Sequence, residues 1–150
     1  MTHQLNFVYN DSDWICPSEY PDLSKASEIA IDLETKDPNI KTKGSGWATF
    51  DGRIVGFAVA ALGQQWYFPI SHDAGGNMDQ AVTCAWMQHV LRTPATKIFH
   101  NASYDVGWLL VNGFEIKGKI VDTMIAAALI NENRFSFSLN ACAKDYLGEI

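Results

Sequence analysis

The segment Glu28 to Thr35, EIAIDLET, constrains this chain more than any other stretch. Its centre, Ile29-Ala30-Ile31, is an unbroken apolar run with two β-branched residues. It predicts a strand over Glu28–Leu33 that is covered on both faces by other elements. The strand ends in two acids, Asp32 and Glu34. Carboxylates aimed out of a buried strand repel each other and raise the cost of folding, so the sequence must supply a cation or a structural reason for them.

Around that strand the other elements fall into order. Residues 1–27 read as an irregular N-terminal segment, with turn chemistry in NDSDW and CPSEYPDLS. Thr35 to Gly46 reads as a polar loop. Arg53–Leu62 and Gln64–Ile70 read as two strands of a hairpin parted by Gly63. After a second loop, SHDAGGN, the residues Val82, Ala85, Trp86, His89 and Val90 recur at i, i+3, i+4, i+7 and i+8, one apolar helix face closed by Pro94. His89 is expected to pack on that face. Thr96–Asn101 reads as a short strand, ASYDVGWLLVNG as a helix ending at Gly113, and IKGKIVDT as another strand. MIAAALI and SLNACAKDYLG give two last helices, the second stopping at Gly148. Three strands in a meander, followed by alternating helix and strand, predict an α/β fold with a mixed central sheet flanked by helices. Ligands of such sheets bind beyond the carboxyl ends of parallel strands, which is where Asp32 and Glu34 fall.

Composition limits the chemistry. The chain is 150 residues long with 47% apolar and 19% charged residues, the make-up of one globular domain. The longest apolar run, Ile54 to Leu62, is far too short to span a bilayer, and no basic start precedes an apolar block at the N-terminus. Neither a membrane partner nor a secretory signal is expected. Cys16, Cys84 and Cys142 are odd in number and form no CxxC pair, which fits reduced, inert thiols in a cytosol. The net charge is −6, from 11 basic and 17 acidic residues, so the chain does not hold duplex DNA by phosphate neutralisation alone. Nucleic acid would have to be handled at a local site, through bound cations or with a basic neighbour.

Two groups of residues could carry chemistry. Asp32 and Glu34 share one strand face, with backbones roughly 6–7 Å apart, and their oxygens can converge on Mg²⁺ or Mn²⁺ rather than zinc. Asp-x-Glu also arises by chance at exposed strand ends, so the pair alone leaves both readings open. Further on, Asn101, Asp105 and Trp108 lie at i, i+4 and i+7 with Tyr104 beside them, on the helix that follows a strand parallel to the first. That places Asp105 within reach of Asp32. Capping by Asn101, and Asp105 in a favourable helix dipole, account for the same residues. Asp122 reads as the N-cap of the helix starting at Thr123, a structural residue near the site.

Together, Asp32-Leu33-Glu34 and Asn101-Ala102-Ser103-Tyr104-Asp105 resemble the first two motifs of the 3′–5′ exonuclease domain of family A DNA polymerases, the proofreading members of the DnaQ-like DEDD superfamily. In that family the motifs are Asp-x-Glu on the first strand and Asn-x-x-[Phe/Tyr]-Asp. The likeness continues through IVDTMIAAALI and SLNACAKDYLG, and the loop SHDAGGNMD is of the type found in phage-like members. It covers about Glu28 to Gly148. The resemblance implies a ribonuclease H-like fold and two-metal hydrolysis, with two divalent cations, Mg²⁺ or Mn²⁺, held by Asp32, Glu34 and Asp105 as metal ligands and catalytic acids. Thr35, Asn101 and Tyr104 would border the 3′-terminal nucleotide of single-stranded or frayed DNA. It further implies a polymerase domain in the same full-length chain, acting in the cytoplasm of a bacterium or phage-infected host.

The family also needs a fourth acid, from a later Tyr-x-x-x-Asp or His-x-x-x-x-Asp helix. No match follows Gly113; His100 with Asp105 lies inside the second motif, and Tyr9 with Asp13 precedes Asp32. Residues 28–150 therefore read as the front part of an exonuclease domain incomplete at its C-terminus, weak or inactive by itself. Two other readings stand beside this one: an RNA-trimming exonuclease resembling ribonuclease D, and a non-catalytic exonuclease-like domain that supports a polymerase.

Overall fold

A computed structural model describes residues 14–148. The irregular segment expected over residues 1–13 lies outside the described residues, and residues 14–27 carry no helix or strand. The order is β1 (Glu28–Lys36), α1 (Ile40–Lys43), α2 (Gly46–Thr49), β2 (Arg53–Ala61), β3 (Gln64–Pro69), α3 (Gln80–Arg92), β4 (Thr96–Phe99), α4 (Ala102–Val111), β5 (Ile120–Asp122), α5 (Thr123–Ile130) and α6 (Leu139–Leu147). The strands form one sheet in the order β3-β2-β1-β4-β5. The meander β1-β2-β3 is antiparallel, while β4 and β5 run parallel to β1. This is the mixed α/β architecture the element order predicts.

Strand register explains the core. Ile31 lies opposite Val59, Leu33 opposite Phe57, and Phe57 opposite Phe68. Together with Ile29 and Phe99 these side chains are buried, and Met87, Val90 and Leu91 of α3 and Trp108 and Leu109 of α4 join the same cluster. Side chains alternate along a strand, so Ala30, Asp32 and Glu34 share the opposite face with Ala58, Ala60 and Tyr67. That face is open. The expected cover on both sides of β1 is therefore corrected: only alternate residues of the apolar run enter the core, and Ala30 between them is half-buried.

Several local expectations shift. Thr35–Gly46 is not a featureless loop. A bulge between Glu34 and Thr35 lets β1 continue, pairing Thr35 with Ile54 and Lys36 with Arg53. Beyond it, Asn39 O accepts from the amides of Thr42 and Lys43, and Asp37 Oδ2 from that of Gly46, which winds two short helices. On α3 the buried stripe is Thr83, Met87, Val90 and Leu91, rotated from the expected one, with Val82 and His89 exposed. Thr83 can enter because its hydroxyl donates to Asp79 O and meets Tyr20 Oη. The strand expected over IKGKIVDT shrinks to Ile120–Asp122. Gly118 adopts φ +82°, and a Cβ there would come within 2.4 Å of Ala95 O, so the chain turns sharply before pairing with β4. Among the described residues no helix is long and apolar enough to cross a membrane.

Candidate active site

Asp32, at the middle of β1, and Glu34, two residues on, project from its open face, and both are exposed. Neither side chain makes a hydrogen bond or ion pair with a described residue. Asp32 opens into a cleft of about 540 Å³ whose lining includes Ala30, Ala58, Tyr67, Ile98 and His100. Desolvation by these walls raises the Asp32 carboxyl above its ordinary value, with His100 opposing the shift. Tyr67 lies over β2 towards Glu34. Its hydroxyl contacts His72 Nε2, and a Cβ on Gly56, the cross-strand partner of Glu34, would meet that hydroxyl at 2.1 Å. Desolvation, then Glu34, pushes the Tyr67 phenol up to about 12, so it stays a neutral donor.

Asp105 sits in the first turn of α4 and is 3% exposed. Its carboxyl is raised to about 7, first by desolvation and next by the charge of Asp32, while the Leu33 N–H of β1 opposes the shift; Asp122 and Glu34 add to it. The helix from the second motif thus brings its acid within the electrostatic reach of Asp32 and Glu34 on the strand of the first. Among the described residues, however, no three Asp, Glu, His or Cys side chains form a group able to hold a metal ion together.

Asp122 organises the back of the site. It is the N-cap of α5, accepting from the amides of Met124 and Ile125, and it also accepts from those of Asn101 and Ala102 at the start of α4. Desolvation pushes its carboxyl up, but these four amides outweigh it and hold the group below the usual range. Asn101 consequently makes no side-chain cap to α4. It adopts φ +68°, a left-handed conformation that asparagine tolerates. His100 is fixed on both ring nitrogens, by Thr123 Oγ1 at 2.9 Å and Phe137 O at 2.8 Å.

Thr35 and Tyr104 meet: their hydroxyls are 2.8 Å apart, and Tyr104 donates to Asp37 Oδ2 at 3.0 Å. A phenol has one proton, so Thr35 donates to Tyr104. Desolvation chiefly raises the Tyr104 phenol, keeping it protonated for that bond. Asp37, the Tyr67–His72 pair and the hold of Asp122 on α4 are the residues that sequence reasoning missed. The bonds of Asp37 to Tyr104 and of Asp122 to α4 join positions far apart in the chain, and the Tyr67–His72 pair spans a strand end and a loop with no motif to mark it. The nearest signal was Asp37 itself, an acid followed by proline just past the first motif.

A family model described as a 3′–5′ exonuclease matches residues 20–150. The DNA-directed DNA polymerase of Pseudomonas phage M6 is 31% identical over 145 residues, covering 92% of this chain and 22% of that protein. The chain thus spans less than a quarter of that relative's length. Among solved structures, Brucella melitensis NrnC with bound Mg²⁺ has a TM-score of 0.62 at 18% identity, covering 85% of this chain and 57% of the other. Escherichia coli RNase D, an exoribonuclease involved in structured RNA processing, has a TM-score of 0.60 at 20% identity, with coverages of 85% and 29%. At those identities the two structures establish the ribonuclease H-like fold alone. The family match takes in both acidic motifs and the whole sheet: the chain belongs to the 3′–5′ exonuclease family of family A DNA polymerases.

Proposed function

We propose that this chain is the front part of the proofreading exonuclease of a longer DNA polymerase, which removes the 3′-terminal nucleotide of single-stranded or frayed DNA. One observation carries the reading: two carboxylates, Asp32 and Glu34, stand on one strand face with no hydrogen-bond or ion-pair partner among the described residues, while burial and their charges raise the carboxyl of a third, Asp105. Hard oxygen donors of this kind fit Mg²⁺ or Mn²⁺. Asp32 and Glu34 would hold the ions directly, and Asp105 would act through a bridging water. When bound, two such ions activate the attacking water and offset charge on the attacking and leaving oxygens. Thr35, Asn101 and Tyr104 border the terminal nucleotide in this reading, with Asp122 holding the turn that carries Asn101.

The set is short of one ligand. A fourth acid, on a helix from the downstream part of the polypeptide, would enter the cleft floored by Ala30, Ala58 and Ile98. The polymerase domain belongs to that same longer chain, and the site of action is the cytoplasm of a phage-infected bacterium. The test is nuclease assay of the 150-residue chain and of a form extended by about one helix pair, on matched DNA and RNA oligonucleotides. The short form is expected to digest single-stranded DNA very poorly. The extended form is expected to hydrolyse it in a reaction abolished by EDTA and by Asp32→Ala. Robust metal-dependent activity in the short form would overturn the missing fourth acid, and cleavage of RNA alone would transfer the assignment to a ribonuclease D-like enzyme.

A further inference from the structure

Among the described residues, three buried polar side-chain atoms have no hydrogen-bond partner: Asp37 Oδ1, Trp47 Nε1 and Trp108 Nε1. Gly46 of α2 and Gly107 of α4 stand against the side chains that carry them. A Cβ built on Gly46 would stand 3.0 Å from Asp37 Oδ1 and 2.9 Å from the Trp108 ring; one built on Gly107 would stand 2.7 Å from Trp47 Nε1. Gly46 precedes Trp47 in α2 and Gly107 precedes Trp108 in α4, so the two glycine–tryptophan pairs interlock beside the carboxylate. The Trp108 N–H leans towards the Tyr104 hydroxyl, enough to favour its ionised form, without making a hydrogen bond of good geometry.

Buried polar groups are almost always satisfied, and the chemistry of this set selects its ligand. Two indole N–H donors repel a metal cation, and the carboxylate oxygen repels an anion. A neutral species that accepts two hydrogen bonds and donates one fits all three. We propose that a single buried water, accepting from Trp47 Nε1 and Trp108 Nε1 and donating to Asp37 Oδ1, bridges the three groups and makes Asp37 a positioning residue for Tyr104 and Thr35. The other oxygen of Asp37 already accepts from the Tyr104 hydroxyl and, at 2.8 Å, from the Gly46 amide. One carboxylate thereby fixes the segment carrying α2 onto α4 and orients the Tyr104 hydroxyl that meets Thr35, the residue after Glu34. The positioning half of the proposal rests on the reading of the cleft at Asp32 as a nucleotide site; the water does not.

The two halves separate by experiment on the ¹⁵N-labelled chain. Indole signals of Trp47 and Trp108, assigned with Trp→Phe variants, are expected to show magnetisation transfer to a long-lived water. Trp86, whose N–H donates to Pro21 O at 3.2 Å, is expected to show none. Slow-exchanging Trp47 and Trp108 signals without transfer from water, or signals in fast exchange with bulk solvent, overturn the water. For positioning, Mn²⁺-dependent binding of thymidine 5′-monophosphate is measured on the form extended by about one helix pair. Asp37→Ala is expected to weaken it about tenfold, Tyr104→Phe by a similar factor, and the double variant no further than either alone. Lys43→Ala, on the exposed α1, is the control. If Asp37→Ala does not fold, Asp37→Asn takes its place, since it keeps the shape and one acceptor. Binding unchanged in a folded Asp37 variant overturns the positioning role. A wild type that binds no nucleotide defeats the functional reading and that role together, while the indole signals still decide the water.

Discussion

Replacing Asp105 by asparagine should stabilise the protein by an amount that grows as the pH rises above about 4 and levels off above about 7. In the folded chain the Asp105 carboxyl titrates at about 7, against an ordinary value of 3.8. Between those values the folded state keeps a proton that the unfolded chain has released, so stability falls as the pH rises through the window. The penalty is absent below about pH 4 and complete above about pH 7. A shift of about 3 units at 1.36 kcal/mol each is a penalty of about 4 kcal/mol. The group is 3% exposed, so solvent screening removes little of it. In Asp105→Asn the side chain keeps its size and polarity, and its amide never ionises. Urea denaturation in EDTA at a series of pH values from 4 to 8 provides the measurement. The variant is expected to match wild type near pH 4 and to exceed it by up to about 4 kcal/mol near pH 8. Other carboxylates, such as Asp73 and Glu115, slope the opposite way in both proteins, so the difference between the two curves isolates Asp105. Added Mn²⁺ should narrow the gap by favouring the ionised acid. A gap that stays flat with pH, or one in which wild type gains on the variant as the pH rises, refutes the raised carboxyl of Asp105.

Three further outcomes are expected. Gly107→Ala should destabilise by about 1–3 kcal/mol in denaturant titration, because its methyl would stand 2.4 Å from the Trp47 ring, and Trp47→Leu should recover most of the loss. Asp122→Ala should cost about 2 kcal/mol, the upper range for a single helix cap, because the starts of α4 and α5 both lose acceptors; Asp122→Asn should restore part of it in thermal melts. Lys97 is fully buried, and its ammonium donates to the carbonyls of Thr93, Ala95 and Lys117. Lys97→Met should therefore lower the urea midpoint by a loss of about 1–3 kcal/mol without changing the slope.

What the sequence revealed about this protein follows the range of the interactions. Local signals sufficed for β1 to β3, for the hairpin at Leu62–Gly63, and for the Gly113 and Gly148 helix stops. Each of these depends on residues within a few positions of one another. The acids were legible because Asp-x-Glu on a strand fixes its own face. The stripe of α3 was misread because apolar character favoured Val82 and Ala85, whereas Thr83 enters the core only through a hydroxyl on Tyr20, far away in the chain. The segment after Glu34 was opaque for the same reason: its two short helices exist through Asp37, Tyr104 and a glycine facing a tryptophan. Asp122 was legible for one of its two duties, the adjacent helix α5, and not for α4 across the strand.

That double duty has a mechanical corollary. One carboxylate pins the first turns of two helices, so α5 cannot tilt without pulling on the amides of Asn101 and Ala102. Asp105 rides on the turn that is pulled. The outer side of α5 presents Ile125, Leu129 and Ile130 to solvent. Any body that leans on those side chains gains a lever on the acid, and the fulcrum is a single aspartate.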